Sequence, residues 1–150
     1  MASLDFVATS GVKNLVRDLR RASEKEAVKV LRRAHREIAN EIRDDARARA
    51  KTAYGKRGSY GRASRAITSR AWPDKAKVRL EPKKDPRVLG AEYGAIQYPQ
   101  FRAWTGNQWI GGPPEGVGYA LLPTLRDDVP KIRETYGDRI MDALAAAFPD

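Results

Sequence analysis

The chain has 150 residues, with 29 basic and 19 acidic side chains, a net charge of +10, one histidine and no cysteine. That length fits one domain, residues 1–150, with a core that needs no staples. The lack of cysteine excludes disulfides, thiolate metal sites and cysteine nucleophiles and suits a reducing cytoplasm. No apolar run approaches the roughly 20 residues that span a bilayer, and residues 1–9 are too short and acidic for a signal peptide.

The charge is uneven along the chain. Residues 1–55 carry 13 basic and 8 acidic side chains, residues 56–87 carry 11 and 3, and residues 88–150 carry 5 and 8. The middle segment, at +8, therefore sets the field, which attracts phosphate or an acidic protein surface without reading sequence.

Residues 1–9 show little pattern and read as a flexible arm, with Leu4, Phe6 and Val7 available to pack back on the body. Ser10 can cap a short helix running to about Arg21, with Val12, Leu15, Val16 and Leu19 on one face. The strongest signal follows, over residues 23–53, where no glycine or proline interrupts. Ser23 with Glu26 makes a capping box, and Val28, Leu31, Ala34, Ile38, Ile42, Ala46, Ala50 and Ala53 recur as a single apolar stripe. At 1.5 Å per residue this helix is about 45 Å long, a spine whose alanine-rich second half lets another backbone or a neighbouring subunit come close.

Residues 54–62 form a glycine-containing basic loop, with Gly55 placed as a left-handed cap. The loop lacks the Lys-Ser or Lys-Thr ending of a nucleotide-binding loop, and no strand precedes it. Ile67 to Trp72 and Ala76 to Glu81 read as a β-hairpin about Pro73-Asp74-Lys75, with Val78 and Leu80 on one face and Lys77, Arg79 and Glu81 on the other. Val88-Leu89-Gly90 reads as the start of a third strand. Residues 91–118 then exchange charge for glycine, proline and aromatics. Tyr93, Tyr98, Phe101, Trp104 and Trp109 fall within seventeen residues of one long irregular loop. Two roles are open to them: core, or anchors buried in a neighbouring subunit. An amphipathic helix closes the chain over about residues 124–147, carrying Leu125, Val129, Ile132, Tyr136, Ile140, Leu144 and Phe148. Pro130 fits it if the regular helix restarts at Asp127 or Asp128, and Gly137 costs roughly 1 kcal/mol unless close packing requires it.

Catalytic chemistry has little to work with. His35 lies beside the spine's stripe without a second soft ligand, so it reads as a packed imidazole rather than a metal ligand or a triad member. Asp44 with Asp45, and Asp127 with Asp128, are adjacent pairs that point about 100° apart on a helix and do not converge. A metal-dependent nuclease would have to draw on Asp74, Glu81 and Asp85 in the basic segment. The expectation is a protein without enzymatic activity, cofactor or metal.

In the order of its elements the chain resembles the small head-tail connector, or tail-completion, proteins of long-tailed bacteriophages and prophages. The matching stretches are Ala50-Lys51-Thr52-Ala53 at the end of the spine, Arg65-Ala66-Ile67 at the strand start, Gly90-Ala91-Glu92-Tyr93-Gly94, Gln100-Phe101-Arg102-Ala103-Trp104-Thr105-Gly106-Asn107, and Gly118-Tyr119-Ala120-Leu121-Leu122-Pro123-Thr124-Leu125. The resemblance covers roughly residues 12–148, and Thr124 stands where that family usually has alanine. The resemblance implies an α+β fold, long N-terminal and C-terminal helices on a small antiparallel sheet made of the hairpin plus one or two further strands. It implies a structural virion protein, assembled in the bacterial cytoplasm into a ring at the neck, of six copies or alternatively twelve. Its partners there would be adaptor or stopper proteins, a tail terminator or tail-tube protein, and the genomic DNA passing through, with no membrane. On that reading Tyr93, Tyr98, Phe101, Trp104 and Trp109 supply a subunit interface, and Lys56, Arg57, Arg62, Arg65, Arg70, Lys75, Lys77 and Arg79 face DNA or acidic neighbours. The alternative is a free nucleic-acid-binding protein that uses the same basic hairpin.

Overall fold

A computed structural model describes residues 3–7 (backbone only), 25–54, 60–106 and 117–148. In chain order the elements are β1 (Ser3–Val7), α1 (Lys25–Ala53), a 3-10 turn (Gly61–Ala66), β2 (Ile67–Ala71), β3 (Lys75–Leu80), α2 (Val88–Tyr93) and α3 (Leu121–Ala147). The fold is α+β, as expected. The short helix read at residues 10–21, the cap at Ser23 and the cap at Gly55 lie outside the described residues.

The spine α1 buries Ala27, Leu31, Ala34, His35, Ile38, Ala39, Ile42, Ala46 and Ala50, while Val28 and Ala53 are only half-buried. The buried face is wider than a single stripe because two layers share it: α3 packs along one side, and the hairpin with the 3-10 turn along the other. The alanine end does admit another backbone, and that backbone belongs to the same chain. A Cβ on Gly61 would sit 2.7 Å from the Lys51 carbonyl oxygen, and Ala63 and Ala66 of the turn are fully buried. Each large aliphatic side chain buried here contributes about 1.5–3 kcal/mol.

The hairpin forms as read, closed by the Trp72 amide on the Lys75 carbonyl at 2.8 Å. Ala76, Val78 and Leu80 are buried, and the alternate residues of β3 are half-buried. The third strand comes from elsewhere than expected. β1 lies antiparallel to β3, with Leu4 opposite Val78 and Phe6 opposite Ala76, so the sheet order is β1-β3-β2. The period-2 spacing of Leu4 and Phe6 was the available signal, too short to separate from an arm.

Val88-Leu89-Gly90 is helix rather than strand. The Asp85 carboxylate accepts from the Arg87 amide and the Asp85 carbonyl from the Val88 amide, which turns the chain into α2. A six-residue segment carries no periodicity able to decide between the two. The last helix also differs from expectation, starting at Leu121 and running through Pro130 without a restart. Pro130 is exposed, so the lost hydrogen bond is on the solvent side. Nothing lies within 4 Å of a Cβ built on Gly137, so packing does not require that glycine. Phe148, at the end of the expected apolar face, is 47% exposed.

Candidate interaction surfaces

The loop after α2 is organised by Glu92, which is fully buried. Its carboxylate accepts the Tyr54 hydroxyl at 2.6 Å and the amides of Leu121 at 3.0 Å, Leu122 at 3.2 Å and Ala120 at 3.3 Å. Those amides belong to the first turn of α3, where backbone donors have no partner within the helix. A carboxylate suits that place twice over, as an acceptor and as an anion at the positive end of the helix dipole. One buried side chain therefore ties together the end of α1, α2 and the start of α3. Burial, then the Glu92 charge, pushes the Tyr54 hydroxyl well above its usual pKa and keeps it a donor.

Around this hub the backbone is tightly constrained. Gly118 has φ +79°, and a Cβ there would lie 2.4 Å from Glu92 Oε1; Gly94 has φ +77°, and a Cβ there would lie 2.1 Å from the Ala103 carbonyl oxygen. The Thr105 amide donates to the Tyr93 carbonyl at 2.8 Å and the Ala95 amide to the Arg102 carbonyl at 3.0 Å, forming a narrow neck. Phe101 wedges beneath it, its ring 5.0 Å from that of Tyr60 and against Gly90. Tyr119 donates to the Ala103 carbonyl at 2.7 Å.

On this fixed base stand exposed apolar side chains. Ile96 is 82% exposed, Tyr98 59% and Trp104 37%, with Gln97, Pro99 and Gln100 also exposed between them. The five aromatics expected at an interface thus divide. Tyr93 is buried in the chain's own core and Phe101, half-buried, supports the loop from within. Tyr98 and Trp104 offer surface to a neighbour, and Trp109 lies outside the described residues. Ile96 was missed because it is a single aliphatic residue outside any periodic pattern. Glu92 was missed because its partners are a tyrosine 38 residues away and amides 28 to 30 residues away.

The basic residues divide as well. Lys56 and Arg57 lie outside the described residues. Arg62 and Arg65 are exposed on the 3-10 turn, and Arg65 approaches Asp85 at 3.8 Å. On the sheet, register sets Arg70 directly opposite Lys77 and Thr68 opposite Arg79, with Lys75 two residues further along the same face of β3. Like charges placed opposite each other disfavour the pair unless an anion joins them. Part of this face is already neutralised, because Arg79 pairs with Glu81 at 3.2 Å. Lys75 holds its ammonium 5.0 Å from the centre of the Trp72 ring.

His35 is a core residue, as read. Its Nδ1–H donates to the Leu31 carbonyl at 2.9 Å, which leaves Nε2 as the acceptor for the Tyr136 hydroxyl. Burial lowers its pKa and holds it neutral. The carboxylates meet in a way that adjacency along one helix did not suggest. Asp127 pairs with Arg49 at 2.7 Å, while Asp128 places Oδ2 out of solvent and without a donor, next to Asp45 across the α1–α3 seam. Burial first, then Asp45, pushes the Asp128 carboxyl up to about 6. Among the described residues no three His, Asp or Glu side chains gather to hold a metal ion, and no helix is long and apolar enough to cross a membrane.

The chain matches no protein family model, no curated protein and no solved structure. A functional reading therefore stands on these surfaces and on the motif order, without support from a relative. Four of the five motif stretches have a local physical role. Gly90, Glu92 and Gly94 build the hub and its neck, Phe101 to Gly106 carry the wedge and the exposed Trp104, Gly118 to Leu122 complete the cap, and Lys51 receives the 3-10 turn.

Proposed function

We propose that this chain is a structural virion protein, a head-tail connector or tail-completion subunit that assembles as a ring at the neck of a long-tailed phage particle. The observation that carries the reading is the apolar loop of Ile96, Tyr98 and Trp104, held out from the body on a braced neck. A loop braced in this way loses little entropy on docking, and buried tyrosine and tryptophan dominate interface energy. Further copies of the chain form the ring, six or alternatively twelve. Adaptor or stopper proteins lie on the capsid side, and a tail terminator or tail-tube protein on the other. The cations Arg62, Arg70, Lys75 and Lys77 serve acidic neighbours or the DNA in the lumen. The role needs no catalytic group or cofactor.

A second reading, a free nucleic-acid-binding protein, draws on Arg70 standing opposite Lys77. Locating the chain in purified particles separates the two, using a chain-specific gold label viewed by electron microscopy. Label at the head-tail junction is expected. Particles without the chain, combined with tight and steeply salt-dependent DNA binding by the purified protein, would contradict the connector reading in favour of the second.

A further inference from the structure

Among the described residues outside α2, the exposed large apolar side chains fall at two places: Ile96, Tyr98 and Trp104 on the loop, and Met141, 61% exposed, with Phe148 near the end of α3. Glu92 and Tyr119 fix the loop at the start of α3. Met141 lies twenty residues further along the helix, about 30 Å away at 1.5 Å per residue. Beside Met141 an open groove of about 340 Å³ runs between α1 and α3, lined by Ala34, Glu37, Arg139, Asp142 and Ala143. Its floor is two alanines. Arg139 is engaged by Glu41 at 2.8 Å and Glu37 by Arg33 at 3.2 Å, so Asp142 is the lining carboxylate that gives the groove edge its negative charge.

The loop is the chemical counterpart of this groove. Arg102 is the sole charged residue in residues 93–106, and Asp142 the sole one in residues 140–148. Arg102 lies 5.5 Å from the Tyr119 ring centre, and its Nε is buried without a hydrogen-bond partner among the described residues. The half-buried Arg102 cation, set beside protruding Ile96 and Tyr98, suits a small-floored groove with Asp142 at its edge. The distance between the two patches keeps the loop from reaching the groove of its own chain.

We infer that the apolar loop of one copy seats in the α1–α3 groove of a second copy, with Arg102 toward Asp142, giving a head-to-tail contact that repeats around a closed ring. This rests on the ring reading above and specifies which two surfaces meet.

The test uses two full-length variants at exposed positions, Ile96→Asp to spoil the loop and Asp142→Arg to reverse the groove charge, with circular dichroism to check each fold. In sedimentation velocity, the unsubstituted chain is expected to form assemblies larger than a dimer. Each variant alone should associate about tenfold more weakly or worse. An equimolar mixture should give a one-to-one dimer, because one variant keeps an intact groove and the other an intact loop. Variants that fold and assemble like the unsubstituted chain would overturn the inference while leaving the ring reading in place. An unsubstituted chain that stops at a dimer would overturn the head-to-tail contact, and one that stays single would overturn both.

Discussion

A buried carboxylate with no salt-bridge partner among the described residues has to be satisfied by neutral donors, and Glu92 is satisfied by a tyrosine hydroxyl and the amides of one helix start. Amides at a helix start have no intrahelical acceptor, so removing the charge weakens every bond at once. Glu92→Gln keeps the shape but turns one oxygen into a donor facing amide N–H groups. It is expected to lower unfolding stability by about 3 kcal/mol in a urea titration, with the loop and the start of α3 losing protection first in hydrogen exchange. A loss below about 0.5 kcal/mol would show that the hub is not what holds the loop. The residue types at this hub were legible one by one, Glu92 and Gly94 being quoted as part of one motif and Gly118 as part of another. Their joint purpose was not, since a helix cap supplied from another segment leaves no mark in the local sequence. His35 was legible because a lone imidazole beside an apolar stripe has few alternatives to packing.

At the scale of elements, α1 and the hairpin were readable because both have a clear period, 3.6 in one and 2 in the other. The start of α3 was misplaced by three residues because its cap is Glu92, and α2 was taken for a strand because six residues are too few to show a period. The α1–α3 seam has a pH response of definite sign. Asp128 is raised to about 6 from an ordinary 3.8, so the folded state binds its proton more tightly than the unfolded state. The stability this contributes is fully present below about pH 4 and is lost as pH rises through 6, leaving two carboxylates facing each other at neutral pH. Asp128→Asn is expected to stabilise the protein at pH 7.5 by on the order of 1 kcal/mol and to have little effect at pH 4, read from thermal melts at the two pH values. Equal effects at both would mean that the pair does not share a proton. The surrounding charges, Arg49 and Lys131, oppose the shift but do not remove it.

At the scale of the whole molecule, the described residues keep an aliphatic core around α1 and, apart from Leu89 of α2, leave their exposed large apolar groups on the loop at the start of α3 and near its end. A monomer gains nothing from such an arrangement, whereas a subunit that meets identical neighbours through two different faces does. The aromatic excess of residues 91–118 was visible in the sequence, with core and interface both open to it. Which aromatics face outward was decided only by the hub, which draws Tyr93 and Phe101 inward and leaves Tyr98 and Trp104 outside. The basic excess was equally visible, but cross-strand register and local carboxylates determine how much of it remains for a partner. Native mass spectrometry of the purified full-length chain tests the central claim of self-association most directly. A closed set of six or twelve copies, each of 16.7 kDa, is expected, together with its loss on Ile96→Asp; a species of 16.7 kDa alone at every concentration would contradict it.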